Sequence, residues 1–110
     1  MTRTFIQTDE FSFRWDALGF NDDDLRRLEF DIMMKHDKYP VIQGTGGLRK
    51  ARFAFEHRGK SGGVWVCYVY FVVKETIYLI TVYSKNQKDN LSKEEKNEIR
   101  KLIDVLEKSI

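Results

Sequence analysis

Ten consecutive residues, Val64 to Val73, form the longest apolar run of this chain. Only Lys74-Glu75-Thr76 separates them from a second run, Ile77 to Tyr83. Both runs are rich in β-branched and aromatic residues, which suit a pleated sheet surface. The first is too short to span a bilayer and contains polar-tipped tyrosines. Parallel neighbours need a long crossover, so a three-residue link restricts the two runs to an antiparallel hairpin. The unbroken apolarity of Val64–Val73 makes it a central strand. Ahead of it, Leu48 to Phe55 alternates, with Ala51, Phe53 and Phe55 on one side and Lys50, Arg52 and Ala54 on the other. Glu56 to Gly63 then forms a second, longer and more basic hairpin loop.

The remaining residues supply the layers that cover this sheet. Thr4 to Thr8 reads as a short opening strand. Asp9 to Leu18 carries Phe11, Phe13 and Trp15, which suit a short helix or turn, although their alternation equally suits a strand. Asn21 is placed to N-cap a helix. Asp22, Asp23 and Asp24 fill its first turn, where negative charge favours the helix dipole. Phe20 and Leu25 stand at the positions of a hydrophobic staple. Leu25, Leu28, Ile32 and Met33 recur at helical spacing, and the helix should end near Lys35 to Lys38, before Pro40. Ser92 and Glu95 have capping-box spacing ahead of a last helix, whose apolar stripe is Ile99, Leu102, Ile103, Leu106 and Ile110. The predicted fold is a single α+β domain over residues 1–110, in the order β-α-α-β-β-β-α. It is a small twisted antiparallel sheet with N-terminal helices and a C-terminal helix packed on one face. A 110-residue chain with 42% hydrophobic residues can bury a core, and this composition excludes a disordered chain. Met1 to Phe11 lacks the apolar stretch of a signal peptide. The single cysteine, Cys67, cannot form an internal disulfide, so the sequence predicts a cytoplasmic protein with Cys67 as a buried packing residue.

Charge is polarised along the chain. Gln43 to Lys60 carries a net +4 from Arg49, Lys50, Arg52, Arg58 and Lys60 against Glu56, whereas residues 1–42 carry a net −3. The same segment opens with Gly44, Gly46 and Gly47, which let a backbone turn tightly or approach a ligand closely. A local cationic patch on a near-neutral protein is a docking surface for a polyanion, with RNA the first candidate.

Three segments carry a resemblance: Val41-Ile42-Gln43-Gly44-Thr45-Gly46-Gly47-Leu48-Arg49-Lys50-Ala51-Arg52, Gly59-Lys60-Ser61-Gly62-Gly63, and Leu79-Ile80-Thr81-Val82-Tyr83-Ser84-Lys85-Asn86. In content, order and spacing they resemble the HigB branch of the RelE/ParE toxin superfamily, the toxin halves of bacterial type II toxin–antitoxin pairs. The resemblance implies a toxin that cuts mRNA in the ribosomal A site without a metal or other cofactor. It also implies a helix-turn-helix, HigA-like antitoxin, and the 70S ribosome and mRNA as further partners. Neither a membrane nor direct DNA binding is implied. The superfamily also contains gyrase inhibitors of the ParE type, and a catalytically weakened RNA- or ribosome-binding module is a third possibility on the same fold.

The implied reaction is attack of a ribose 2′-OH on the adjacent phosphate. It needs a base, cations for the phosphorane charge and an acid for the 5′-oxygen. The residues expected to serve it are Lys50, Arg52, Tyr83 and Lys85. Lys50 and Arg52 share one face of their strand, about 7 Å apart, and would otherwise be an ordinary solvated face. Tyr83 and Lys85 share parity at the end of the last strand. Tyr83 can act as a base only if Lys50, Arg52 and Lys85 lower its pKa; alternatively it packs at a sheet edge. Arg49, Arg58, Lys60, Trp65 and Asn86 are the candidate RNA-binding residues. Arg49 points to the opposite face of a regular strand. Arg58 and Lys60 fit phosphate contacts or a plain solvated loop, and Asn86 either positions substrate or turns the chain. Relatives usually carry an arginine where Trp65 stands. Tryptophan cannot form a bidentate pair with phosphate, but it can stack on a base or pack in the core. His57 matches no catalytic position, and His36 reads as a surface residue at a helix end.

Overall fold

The computed structural model describes residues 3–54 and 63–109. The elements are β1 (Thr4–Gln7), α1 (Asp9–Ala17), α2 (Asp22–Lys35), β2 (Arg49–Phe53), β3 (Val64–Phe71), β4 (Thr76–Ser84) and α3 (Lys93–Lys108). Class and element order are those expected. The strands form one four-stranded sheet in the order β1-β4-β3-β2. β3 is central and pairs antiparallel with both β2 and β4. β1, however, runs parallel to β4, with Phe5 beside Ile77 and Gln7 beside Leu79. The sheet is therefore mixed, because the long path through both N-terminal helices returns the chain in the direction that β1 took.

Local capping explains the helices. Thr8 resolves the ambiguous segment 9–18 as helix: its hydroxyl accepts the Phe11 N–H at 3.0 Å and donates to the Ile80 carbonyl at 2.7 Å. One side chain thus starts α1 and ties it to β4. Asn21 caps α2 and Ser92 caps α3, each with a reciprocal bond from the residue three positions on, Asp24 or Glu95. At the other end of α3, the Lys74 ammonium donates to the Leu106 carbonyl at 2.7 Å, so the β3–β4 turn satisfies the helix C-terminus.

The helices cover both faces of the sheet, not one. Phe11, Trp15, Leu28 and Ile32 from α1 and α2 pack on Ala51, Val66, Tyr68 and Leu79. On the other face, Ile103 of α3 packs with Leu91, Leu48, Cys67, Val69, Ile80 and Tyr83. A continuous apolar strand needs cover on both faces, which is the physical reason for the second layer. Ile99, Ile103 and Leu106 face the sheet as expected, whereas Leu102 turns toward solvent.

β4 contains a bulge. Cys67 pairs with Thr81, but the next residue, Tyr68, pairs with Leu79, leaving Ile80 as an extra residue. Ile77 and Leu79 face α1 and α2; after the bulge Val82 takes that face, and Tyr83 lies on the α3 side. Strict alternation from Ile77 would have placed Tyr83 with Leu79.

Gly63, just ahead of β3, lies against the backbone at the end of β2. A Cβ there would lie 2.6 Å from the Phe53 carbonyl oxygen, which is backbone and cannot rotate away. Gly63→Ala should therefore destabilise the protein by about 1–3 kcal/mol, the usual range for overpacking. A urea titration checks this, and an unchanged midpoint would refute the contact.

Candidate functional site

The register gathers four of the nine expected residues, Lys50, Arg52, Trp65 and Tyr83, on one face. Arg52 is paired with Trp65 and Trp65 with Tyr83, making a row across three strands; Lys50, Cys67 and Thr81 make the next row. This face continues the surface that α3 covers. Arg52 is exposed at the sheet edge. Lys50 reaches inward: its ammonium lies 4.2 Å from the centre of the Trp65 ring, donates to the Asp89 carbonyl and lies 3.3 Å from Asn90 Oδ1. Trp65 is half-buried, and its indole N–H has no acceptor among the described residues. The ring face offered to Lys50 is thereby occupied in this conformation.

Tyr83 is buried, and its hydroxyl has no hydrogen-bond partner of good geometry among the described residues; it lies against the Cys67 thiol. Burial, followed by Cys67, Glu95 and Asp89, pushes the phenol's pKa well above its ordinary value of 10.0. This is the reverse of the cation-driven lowering that a general base requires. Desolvation penalises the charged phenolate, and Cys67, Glu95 and Asp89 beside it act in the same direction. The Cys67 thiol is likewise pushed up to about 12 by burial, so it stays protonated near neutral pH and is no nucleophile.

The other expected residues divide. β4 ends at Ser84, so Lys85 stands in the following turn and its direction is not set by strand parity. It is half-exposed, and its N–H donates to the Gly63 carbonyl at 3.2 Å. Asn86 is exposed, its N–H bonded to Ser84 Oγ at 3.1 Å. Arg49 lies on the opposite face, as alternation required, and donates to the Tyr39 carbonyl at 2.5 Å. Arg58 and Lys60, like His57, lie outside the described residues. His36 ends α2 and packs edge-on against Tyr70, with Nε2 3.3 Å from Arg3 Nη2.

The glycine-rich segment has a packing role. Thr45 is fully buried, donating to the Ile42 carbonyl at 2.6 Å and accepting the Leu48 N–H at 3.1 Å. Gly46, at φ +80°, faces α3, where a Cβ would lie 3.6 Å from atoms of Arg100 and Ile103. The tight turn brings the backbone against a helix of the same chain.

Two groups at this face escaped the sequence reading. The Lys88 ammonium lies 5.0 Å from the centre of the Tyr83 ring and is paired with Glu95. Glu95, read from sequence only as a capping residue, accepts the Ser92 N–H with its other oxygen at 2.8 Å, and the bond to Lys88 is the main cause of its lowered pKa. The available signal was the recurrence of lysine at 85 and 88 just after Tyr83.

The family model described as the RelE toxin of the RelE/RelB toxin–antitoxin system matches residues 40–109. The chain belongs to the RelE toxin family. The match includes β2, β3, β4, α3 and the whole row of site residues. Among solved structures, this RelE-family chain resembles a double arginine-to-alanine variant of E. coli toxin RelE in the free state. The identity is 12%, the alignment covers 80% of this chain and 88% of that one, and the TM-score is 0.55. It also resembles a chain of the intact E. coli RelBE toxin–antitoxin complex, at 12% identity, 74% and 94% coverage and a TM-score of 0.51. At these identities the likeness is one of fold. No helix among the described residues is long and apolar enough to cross a membrane.

Proposed function

We propose that this toxin is a ribosome-dependent mRNA endonuclease acting in the A site. The observation that carries the reading is the convergence of Lys50, Arg52, Trp65 and Tyr83 on one sheet face, in a chain of the RelE family. In the reaction, the ribose 2′-oxygen gives up its proton and bonds to phosphorus. The bond from phosphorus to the 5′-oxygen breaks and that oxygen takes up a proton. A 2′,3′-cyclic phosphate and a 5′-hydroxyl result, with no redox change and no metal required. Lys50, Arg52 and Lys85 offset the charge that grows on the phosphorane. Tyr83, protonated at neutral pH, supplies its ring to the floor of the site, and Trp65 holds the Lys50 ammonium over its ring. Arg58, Lys60 and Asn86 are assigned to contacts with RNA of the ribosome or message, whereas Arg49, bonded to Tyr39 on the opposite sheet face, stands apart from this site.

The reading brings a place and partners with it. The toxin works in the cytoplasm, on the 70S ribosome and its mRNA, and is neutralised by a helix-turn-helix, HigA-like antitoxin. The E. coli RelBE complex, a toxin–antitoxin assembly on the same toxin fold, supports an antitoxin partner.

Primer extension on a defined mRNA, with and without translating ribosomes, tests the proposal. Cuts that appear only with ribosomes, at A-site codons, are expected. Their absence, from protein that still arrests growth, would refute the nuclease reading and favour a gyrase inhibitor of the ParE type. Their absence from protein that binds ribosomes harmlessly would favour a weakened RNA-binding module.

A further inference from the structure

Lys50 and Lys88 form a matched pair. Each ammonium lies over an aromatic ring, 4.2 Å from the centre of Trp65 and 5.0 Å from the centre of Tyr83, and those rings are partners on adjacent antiparallel strands. Directly opposed residues have Cβ atoms about 4.5–5.5 Å apart, so the two rings are neighbours, and Lys50 donates to the carbonyl of Asp89, the residue next to Lys88, which ties both side chains to one end of this face.

Among the described residues, neither cation has a partner for every donor. An ammonium has three donors. Among the described residues, Lys88 uses one, to Glu95, and Lys50 uses two, to the Asp89 carbonyl and Asn90 Oδ1. The Lys88 side chain is 33% exposed, so its remaining donors can reach a ligand. Glu95 is itself fixed, because its second oxygen holds the Ser92 N–H at the start of α3. Lys88 is thus anchored from one side and open on another. A phosphodiester has two non-bridging oxygens, which matches two nearby ammonium groups that each retain a free donor.

We propose that Lys88, positioned by Glu95, is a second phosphate-binding cation of this site, holding the RNA backbone together with Lys50. The inference rests on the RNA-cleaving reading and deepens it by naming a residue and a contact.

The test uses a short single-stranded RNA, 2′-O-methylated throughout so that it cannot be cut by 2′-OH attack. Its affinity is measured against salt concentration for the unsubstituted chain, Lys88→Met, Lys88→Gln and Glu95→Gln. Methionine keeps the packing over Tyr83 and removes the charge. Losing one phosphate contact should lower the slope of log affinity against log salt by about 0.7. It should also weaken binding about tenfold, as expected for one hydrogen bond to a charged group. Glu95→Gln keeps acceptors for the Ser92 N–H and the Lys88 ammonium while removing a negative charge beside the phosphate, so it should not weaken binding. A role in packing or in the ion pair alone would leave the slope unmoved. Equal slopes for the unsubstituted, Lys88→Met and Lys88→Gln proteins would overturn the inference, as would failure of the unsubstituted chain to bind the probe. The same proteins are assayed for ribosome-dependent cuts. Intact cutting with equal slopes removes only the role of Lys88, whereas no cutting by the unsubstituted chain removes the nuclease reading itself.

Discussion

Lys50→Ala should reduce ribosome-dependent cleavage by at least about 100-fold, the usual cost of removing one preorganised charge from a phosphoryl transition state. It should also relieve growth arrest while the protein remains folded. The ammonium sits between the Trp65 ring and the Asp89–Asn90 segment, where it is placed to meet a phosphate on the Arg52–Trp65–Tyr83 row. Its loss removes one cation–π contact, which is worth about 0.5–1 kcal/mol near a surface, and two solvent-exposed hydrogen bonds, to Asp89 and Asn90, that water can replace. A thermal melt should therefore change little. Arg52→Ala and Lys85→Ala should act in the same direction, because both side chains lie on an exposed edge or turn where truncation costs little stability. Full toxicity in all three variants would remove the proposed site.

Trp15→Ala should destabilise the protein by about 3–5 kcal/mol, within the range for deleting a buried aromatic ring. Trp15 is 3% exposed, stacks on Phe11 at 5.5 Å between ring centres, and touches Phe20 at 4.7 Å. It belongs, with Phe11, to the core between α1, α2 and the sheet, so its removal leaves a cavity beside two rigid rings. Domains of this size have total stabilities of about 5–15 kcal/mol, and such a loss would leave a substantial unfolded fraction in mild urea. Phe13, two residues away and 75% exposed, provides the contrast: Phe13→Ala should stay within about 0.5 kcal/mol. Urea titrations of the two variants check the pair, and equal losses would contradict the assignment of the α1 faces.

Much of the fold was legible because its signals are local. A short link left the hairpin little alternative, although the turn is Val72–Glu75 rather than 74–76, with Val72 and Val73 exposed in it and Thr76 already paired in β4. Asn21 and Ser92 announced their helices through side chains that bond backbone groups within one turn. The same locality placed Lys50 and Arg52 on the face opposite Ala51, since β2 keeps its alternation. What could not be read locally was wrong or open. Segment 9–18 had two candidate periods, and Thr8 decided between them partly through a bond to Ile80, far along the chain. Leu102 shares the helical stripe but turns outward, because α3 meets a twisted sheet over only part of its width. Tyr83 stood open between a base with a cation-lowered pKa and a packed ring, and its burial, which depends on the helix laid over the sheet, decides for the packed ring.

The sequence by itself determined the element order, the two antiparallel pairings of β3 and the clustering of positive charge around β2, since each follows from spacing, caps and link length. The tertiary structure alone decided three other matters. One is the parallel pairing of β1 with β4, which depends on where two helices return the chain. Another is the cover of both sheet faces. The third is the placement of Tyr83 beside Trp65, made by one extra residue, Ile80, in β4. A single-residue bulge inverts every side chain beyond it, and whether it forms is settled by which face offers each side chain a packed environment.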